Sequence, residues 1–214
     1  MNIILLGLPG AGKGTQAKII IEHHHIPHIS TGEILRQAAE AQTKLGLLAK
    51  GYMSKGELVP DEITIGIATN RLRDADCQNG FLLDGFPRNV VQAQALNGFM
   101  IANSKVIDHV IYVEVREELL LERLTGRRTC AGCGATYHVV YQPPRIRNQC
   151  DQCSGKLKQR DDDREATVRE RLRINKHLTV QLLDYYKPEG SLRVIDGSKG
   201  IKEVTEDLIG LFRI

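Results

Sequence analysis

The chain has 214 residues, 42% of them hydrophobic, enough for a substantial core in one domain with room for a small insertion. Its apolar runs are too short for a transmembrane helix, and no charged n-region or cleavage pattern marks a signal peptide, so the cytoplasm is the expected compartment. The net charge of +3 is too weak to argue for nucleic acid, and it is local: between Gly126 and Asp163 seven Lys or Arg stand against four Asp, leaving the remainder neutral.

In chain order, "NIILLG" begins almost at the N-terminus and reads as a buried strand, with a helix expected over 13–24. "IPHIS" at 26–30 is a further strand candidate, followed by a helix over 31–41 in a mostly helical segment, 31–60. Helix 61–73, strand 81–85, helix 89–98, strand 109–115 and helix 117–125 come next. A segment rich in Gly, Pro, Cys and Arg spans 126–163, and helix 164–186, strand 192–197 and helix 202–212 close the chain. Apolar strands alternating with helices predict a parallel sheet covered on both faces. The segments near 31–60 and 126–163 read as attachments to that one core.

"GLPGAGKGT", Gly7 to Thr15, follows the first strand and opens a helix, the context a P-loop requires. Glycines let backbone N–H groups converge on a phosphate, and the helix N-terminus adds favourable dipole charge. The cradle is therefore Gly10, Ala11, Gly12, Lys13, Gly14 and Thr15, with Lys13 reaching the β- and γ-phosphates. Gly14 follows Lys13, so the hydroxyl comes one residue later than in the strict pattern. Direct magnesium ligation by Thr15 is thereby left open.

Candidates for a second site follow. "STGEILR" puts Ser30 or Thr31 at a helix start, Glu33 in capping-box spacing and Arg36 about one turn further in. Without the P-loop these would read as an ordinary cap and a surface arginine. "FLLDGFPRNVVQ" ends a strand on Asp84, where open α/β sheets bind ligands, and a carboxylate there can organise magnesium through water. The fork of Arg88 suits phosphate oxygens, and the amide of Gln92, one helical turn on, can pair bidentately with adenine.

"ELLLERLTGRR" reads as a helix with Leu120, Leu121 and Leu124 inward, and Arg123 and Arg127 share a face if the helix reaches that far. "QRDDDREATVRERL" supplies Arg160 and Arg171, which helical continuity would align. Each alone reads as a surface charge. Four beside a P-loop suit phosphoryl transfer, which asks the protein for positioning and charge stabilisation.

Cys130, Cys133, Cys150 and Cys153 form C-x2-C-x16-C-x2-C, a zinc pattern whose four thiolates would fill a tetrahedral, structural site. A pair of disulfides is the alternative. Cys77 lies outside the pattern and reads as a small buried hydrophobe.

Together these stretches resemble the adenylate kinases, from Met1 to about Phe212. The resemblance implies an α/β fold of the P-loop NTPase kind, a five-stranded parallel sheet flanked by helices. The CORE would be 1–30, 60–125 and 164–214, with a helical NMP-binding insertion at 31–59 and a zinc-stapled lid at 126–163. The implied reaction is MgATP plus AMP to two ADP, reversible, by direct in-line transfer with lid closure, serving adenine nucleotide homeostasis. Magnesium with ATP and a structural zinc are the implied cofactors, in a cytoplasmic monomer with no nucleic-acid or membrane partner. Lys13, Asp84, Arg88, Arg123, Arg160 and Arg171 would be the catalytic set. Arg123, Arg127, Thr136, Tyr137 and Lys199 would join the cradle on the ATP side, Thr136 and Tyr137 near the adenine and Lys199 through its backbone. Thr31, Arg36, Glu57, Leu58, Val59, Gly85, Phe86, Pro87, Arg88, Gln92, Arg160 and Arg171 would hold AMP, with the backbone at Glu57 to Val59 on the adenine. Asp162 and Asp163 match a pair that holds the lid and its arginines; Arg164 has no implied role. Another acceptor, UMP, CMP or GMP, stays open. So does a zinc-ribbon nucleic-acid binder with a nucleotide-switched P-loop, although aromatic residues are only 5%.

Overall fold

The computed structural model describes residues 1–212, without the side chain of Glu189; residues 213–214, the end of the expected CORE, lie outside the described residues. The first strand, β1 (Asn2–Leu6), is apolar on both faces because both are covered. Helix α1 (Lys13–His24) follows, then β2 (His28–Ser30), α2 (Thr31–Glu40), α3 (Lys44–Met53) and α4 (Asp61–Arg71). Next come β3 (Phe81–Asp84), α5 (Val90–Ala102), β4 (His109–Glu114) and α6 (Glu117–Thr125). Three short strands, β5 (Arg127–Cys130), β6 (Thr136–His138) and β7 (Leu157–Lys158), precede α7 (Glu165–Tyr186), β8 (Leu192–Asp196) and α8 (Ile201–Leu211).

Among the described residues the main sheet has five parallel strands in the order β2-β3-β1-β4-β8. Successive side chains of a strand point to opposite faces. Ile3 and Leu5 accordingly join Leu82, Ile111 and Val113 with helices α1, α6 and α8. Ile4 and Leu6 join Leu83, Phe86 and Val110 with α4 and α5. Helix α7, 22 residues and thus about 33 Å long, serves both layers, Val168 and Leu172 in one and Leu182 and Tyr186 in the other.

Two smaller apolar clusters lie off this core. Leu35, Ala49 and Val59 bind α2 and α3 to the start of α4, backed by Tyr52 and Ile63. Cys130, Ala135, Tyr137, Cys150 and Leu157 form the centre of a three-stranded antiparallel sheet ordered β6-β5-β7.

Four expectations change. Ser30 is the N-cap of α2 but makes no side-chain cap, and Thr31 Oγ1 instead donates to the Gly85 carbonyl at 3.1 Å, so the capping box does not form. Helix α6 stops at Thr125 and Arg127 begins β5, so Arg123 and Arg127 do not share a helical face. A 3-10 turn at Asp161–Asp163 and an extended Arg164 separate Arg160 from α7, so Arg160 and Arg171 are not aligned by one helix. Helix α5 runs on to Ala102 because buried Leu96 and Met100 extend its inner face.

Helices α2 and α3 meet at Gly46, where a β-carbon would run into the backbone of Ala38 and Ala39. Gly46→Ala should therefore destabilise the protein by about 1–3 kcal/mol, the usual cost of overpacking a fixed contact. Urea denaturation should show a lower midpoint; an unchanged midpoint would mean that α3 can step back freely.

Candidate active site

The loop after β1 must reverse direction within a few residues, and Gly12, at φ 93°, takes a conformation that side chains other than glycine's resist. The turn is held by Ala11 N–H donating to the Leu8 carbonyl at 3.1 Å and by Thr15 and Gln16 N–H donating to the Gly12 carbonyl. It opens at the C-terminal edge of the sheet, beside Asp84 at the end of β3. A cavity of about 980 Å³ lies above it, walled by the P-loop, the lid strands, the first turns of α2 and the middle of α7.

Ten lysines and arginines line this cavity, among them Lys13, Arg36, Arg88, Arg123, Arg127, Arg160 and Arg171. Lys13 Nζ donates to the carbonyls of Gly7 and Leu8 at 2.8 and 3.1 Å. Burial lowers its pKa to about 8, against the pull of Asp84 and with the help of nearby arginines. Burial together with neighbouring arginines likewise depresses Arg88 to about 10 and Arg160 to about 9. Both stay protonated at neutral pH, so the depression expresses the cost of burying each charge and, to a smaller extent, of crowding it among other cations.

Three carboxylates partly offset that cost. Arg127 grips Asp163 with two hydrogen bonds, of 2.8 and 2.5 Å, and Arg171 lies 3.2 Å from both Asp162 and Asp163. Asp163 is wholly buried. Burial pushes Asp84 up, but His28, with Nε2 at 3.4 Å, and the charges of Lys13 and Arg88 overcome it and hold the carboxyl below its usual range. Asp162 is held low in the same way, chiefly by Arg171 and Arg36 against burial. Arg160 Nε donates to Thr129 Oγ1 at 3.0 Å, and Arg123 Nη1 to the Gly197 carbonyl at 2.9 Å.

The fold thus gathers most of the candidates. Gly10 to Thr15, Arg36, Asp84, Gly85, Pro87, Arg88, Thr136, Tyr137, Lys199 and the four distal arginines all line the cavity. Thr31, Glu57, Leu58, Val59, Phe86 and Gln92 do not. Phe86 belongs to the core and Val59 to the small cluster under α2 and α3. Gln92 is 1% exposed, with its amide engaged inside the protein. The Lys199 ammonium turns away to Asp207 at 2.7 Å.

The four lid cysteines converge, all their sulfurs lying within 4.8 Å of one another. The cysteines are free thiols, so the disulfide alternative does not hold. Gly132 N–H approaches Cys130 Sγ at 3.3 Å and Gln152 N–H approaches Cys150 Sγ at 3.4 Å, the outer contacts that orient thiolate ligands. Tyr137 Oη accepts from Asp151 N–H at 2.8 Å and so turns its own hydrogen to Cys150 Sγ at 3.4 Å, which draws that thiol down to about 6. Four clustered thiols with this outer shell fit a tetrahedral thiophilic ion.

Sequence reasoning missed several members. His28 comes beside Asp84 only through the β2–β3 register, in which Ser30 faces Asp84. Tyr137 lines the cavity as a candidate, but the service of its hydroxyl to the thiols was not foreseen. His138 ties the lid to the core, its Nδ1 accepting from Val140 and Tyr141 N–H at 3.0 Å and its Nε2 lying 3.3 Å from the Glu122 carbonyl. Lys158, in β7, reaches Glu40, at the end of α2, at 3.3 Å. These pairings span strands or subdomains and carry no local motif.

Residues 5–191 match the protein-family model described as Adenylate kinase. An adenylate kinase of Bacillus licheniformis is 57% identical over 208 residues, covering 97% of this chain and 96% of its own length. One of Exiguobacterium sibiricum is 56% identical over 211 residues, 99% of this chain and 98% of its own. One of Staphylococcus aureus is 54% identical over the same extent.

The depressed Lys13 makes anion binding a proton-linked event. Between about pH 8 and 10.5 the free site holds Lys13 partly neutral, and phosphate oxygens favour its charged form. A nucleoside triphosphate binding at pH 9 should therefore take up about one proton. Calorimetry in buffers of different ionisation enthalpy reads this directly, and Lys13→Met should abolish it. Equal proton traffic in the variant would assign the effect elsewhere.

Proposed function

The chain belongs to the adenylate kinase family and is a nucleoside monophosphate kinase of that activity, and from this premise we propose how its residues divide the transfer of a phosphoryl group between MgATP and AMP. The observation that carries the assignment is the ring of cations over the P-loop mouth, with Asp84 as the carboxylate at its base. Lys13 and the backbone of Gly10 to Thr15 take the phosphates of ATP, Lys13 exchanging the carbonyls of Gly7 and Leu8 for phosphate oxygens. Arg123, near the end of α6, and Arg127, at the start of β5, stand on the ATP side. Arg36 and Arg88 hold the AMP phosphate, and Arg160 and Arg171 bridge the two nucleotides. Nothing here needs a covalent intermediate: the groups position the acceptor in line and neutralise the charge on the transferring oxygens.

Magnesium is the metal that accompanies ATP in this family. One buried, ionised carboxylate facing the P-loop suits a cation that keeps most of its water, so Asp84 would hold it through water and the ion would supply charge neutralisation. In the lid, Cys130, Cys133, Cys150 and Cys153 would hold a structural zinc. A segment whose own core is five residues gains its rigidity from such a staple.

Adenine recognition is assigned to the backbone at Glu57 to Val59 and to Gln92, which lies behind the cavity wall but is bonded to the backbone of Arg88 in that wall, and Thr136, Tyr137 and Lys199 flank the ATP base. Residues 1–30, 60–125 and 164–214 form the CORE, 31–59 the NMP-binding part and 126–163 the lid, each small part having its own apolar cluster. Closure of the lid over ATP excludes water from the transfer. A cytoplasmic monomer is the setting, and reduced thiols suit that compartment. Among the described residues no helix is long and apolar enough to cross a membrane.

ADP formation from MgATP, with AMP, GMP, CMP and UMP offered singly, tests the reading; AMP should be strongly preferred, and another preferred acceptor would overturn the specificity. Arg88→Ala should lower kcat/KM for AMP roughly a hundredfold or more while leaving the melting temperature close to wild type. Near-normal turnover would remove Arg88 from the machinery. Stripping the metal with a chelator under reducing conditions should lower the melting temperature, chiefly through the lid, more than it slows the chemical step. Metal-free protein with unchanged melting would refute the staple.

A further inference from the structure

The base-reading side chain is tied at both ends. Gln92, in the first turn of α5, sends Nε2 to Asp61 Oδ1 at 2.7 Å, and its Oε1 accepts from the Arg88 backbone N–H at 2.8 Å. Asn89 caps the same helix, its Oδ1 accepting from Gln92 N–H at 2.9 Å, and its own Nδ2 donates to Asp61 Oδ1 at 2.9 Å. Asp61 is the first residue of α4. One carboxylate oxygen at the start of one helix therefore gathers two amide donors from the start of another.

We propose that Asp61 is a positioning residue that sets the choice of acceptor base, by preventing the Gln92 amide from turning over. The proposal rests on the reading of Gln92 as the group that meets the base. A primary amide has two donor hydrogens and two acceptor lone pairs. Two of these four are spent inside the protein, leaving one N–H and one lone pair. Adenine matches that remainder, its 6-amino group donating to the oxygen and its N1 accepting from the nitrogen. A 6-oxopurine presents the reverse, an accepting O6 and a donating N1–H.

A free glutamine could read either base, since its terminal torsion is broad and roughly two-fold. Here the turned amide would set its NH2 against the Arg88 N–H and its oxygen against the Asp61 carboxylate. Two hydrogen bonds would become two repulsions at a side chain that is 1% exposed, where water cannot relieve them. The lock makes the amide a one-way reader. Without the Asp61 oxygen only the Arg88 N–H opposes the turn, and the lock is half undone. Asn89 helps by holding the carboxylate from a second direction.

The test compares kcat/KM for AMP and for IMP, which differ only at the base edge in question. Asp61→Ala should cut the preference for AMP over IMP about tenfold or more. Asp61→Asn, which keeps the accepting oxygen and the shape of the site, should hold the preference near wild type. A merely structural Asp61 would lower both constants together and leave their ratio unchanged, and that result would overturn the proposal. Loss of preference in Asp61→Asn equal to that in Asp61→Ala would overturn it too, because charge and not the accepting oxygen would then be responsible. Gln92→Met separates the two levels. If it leaves the ratio intact, Gln92 does not read the base and the underlying assignment fails. If it collapses the ratio and Asp61→Ala does not, the base reader stands and the lock falls.

Discussion

Repulsion among cations at the mouth of the P-loop is the constraint around which the rest of this structure is arranged. Ten lysines and arginines line one cavity, and burial removes much of the water that would screen the innermost of them. Burial first, and the neighbouring arginines second, lower the pKa values of Lys13, Arg88 and Arg160. Without counter-charge the lid and α7 would be driven apart. Asp162 and Asp163 stand where the lid returns to the core, and Asp163 takes Arg127 from one side and Arg171 from the other. The pair secures two arms of the site while leaving enough uncompensated charge to demand an anion. A polyphosphate is the natural completion of such a site, which helps the binding of two anionic substrates to be coupled to closure.

The two attachments solve their stability problems differently. The helical insertion has an apolar cluster that continues into α4, and α3 is anchored by Thr43, whose Oγ1 accepts from Gly46 N–H at 3.0 Å. The apolar cluster of the lid is only five residues, Cys130, Ala135, Tyr137, Cys150 and Leu157. A metal held by its four thiols would add the cohesion that side-chain packing lacks, and Tyr137 belongs to both problems: its ring packs at the centre of the lid and its hydroxyl lies beside a thiol. The lid joins the core where α6 ends at Thr125 and where the Asp161–Asp163 turn precedes α7.

What could be read from the chain was what is local. The P-loop is contiguous, the cysteine pairs have a spacing with a chemical meaning, and the strands of a doubly covered sheet announce themselves as apolar runs. Helical spacing failed where it was extended across a boundary. Arg127 lies four residues beyond Arg123 but starts a strand, and Arg160 is cut off from α7 by three consecutive aspartates. Those arginines still reach one cavity, because tertiary placement brings them there rather than a shared helix. His28 beside Asp84, and Asp61 beside Gln92, depend on strand register and helix packing between residues far apart in sequence. No motif encodes them.

The Gln92 network shows why such pairings matter to chemistry. A list of site residues would name the glutamine and stop, yet the amide alone is ambiguous in what it recognises. In the proposed reading its orientation is set by two partners, one of them a carboxylate 31 residues away in the chain. The same logic applies to the arginines. Any of them could bind any anion, and the aspartates and carbonyls that hold them decide which oxygens they meet. In this molecule the groups that touch substrate supply the chemistry, and the groups that restrain them supply its direction.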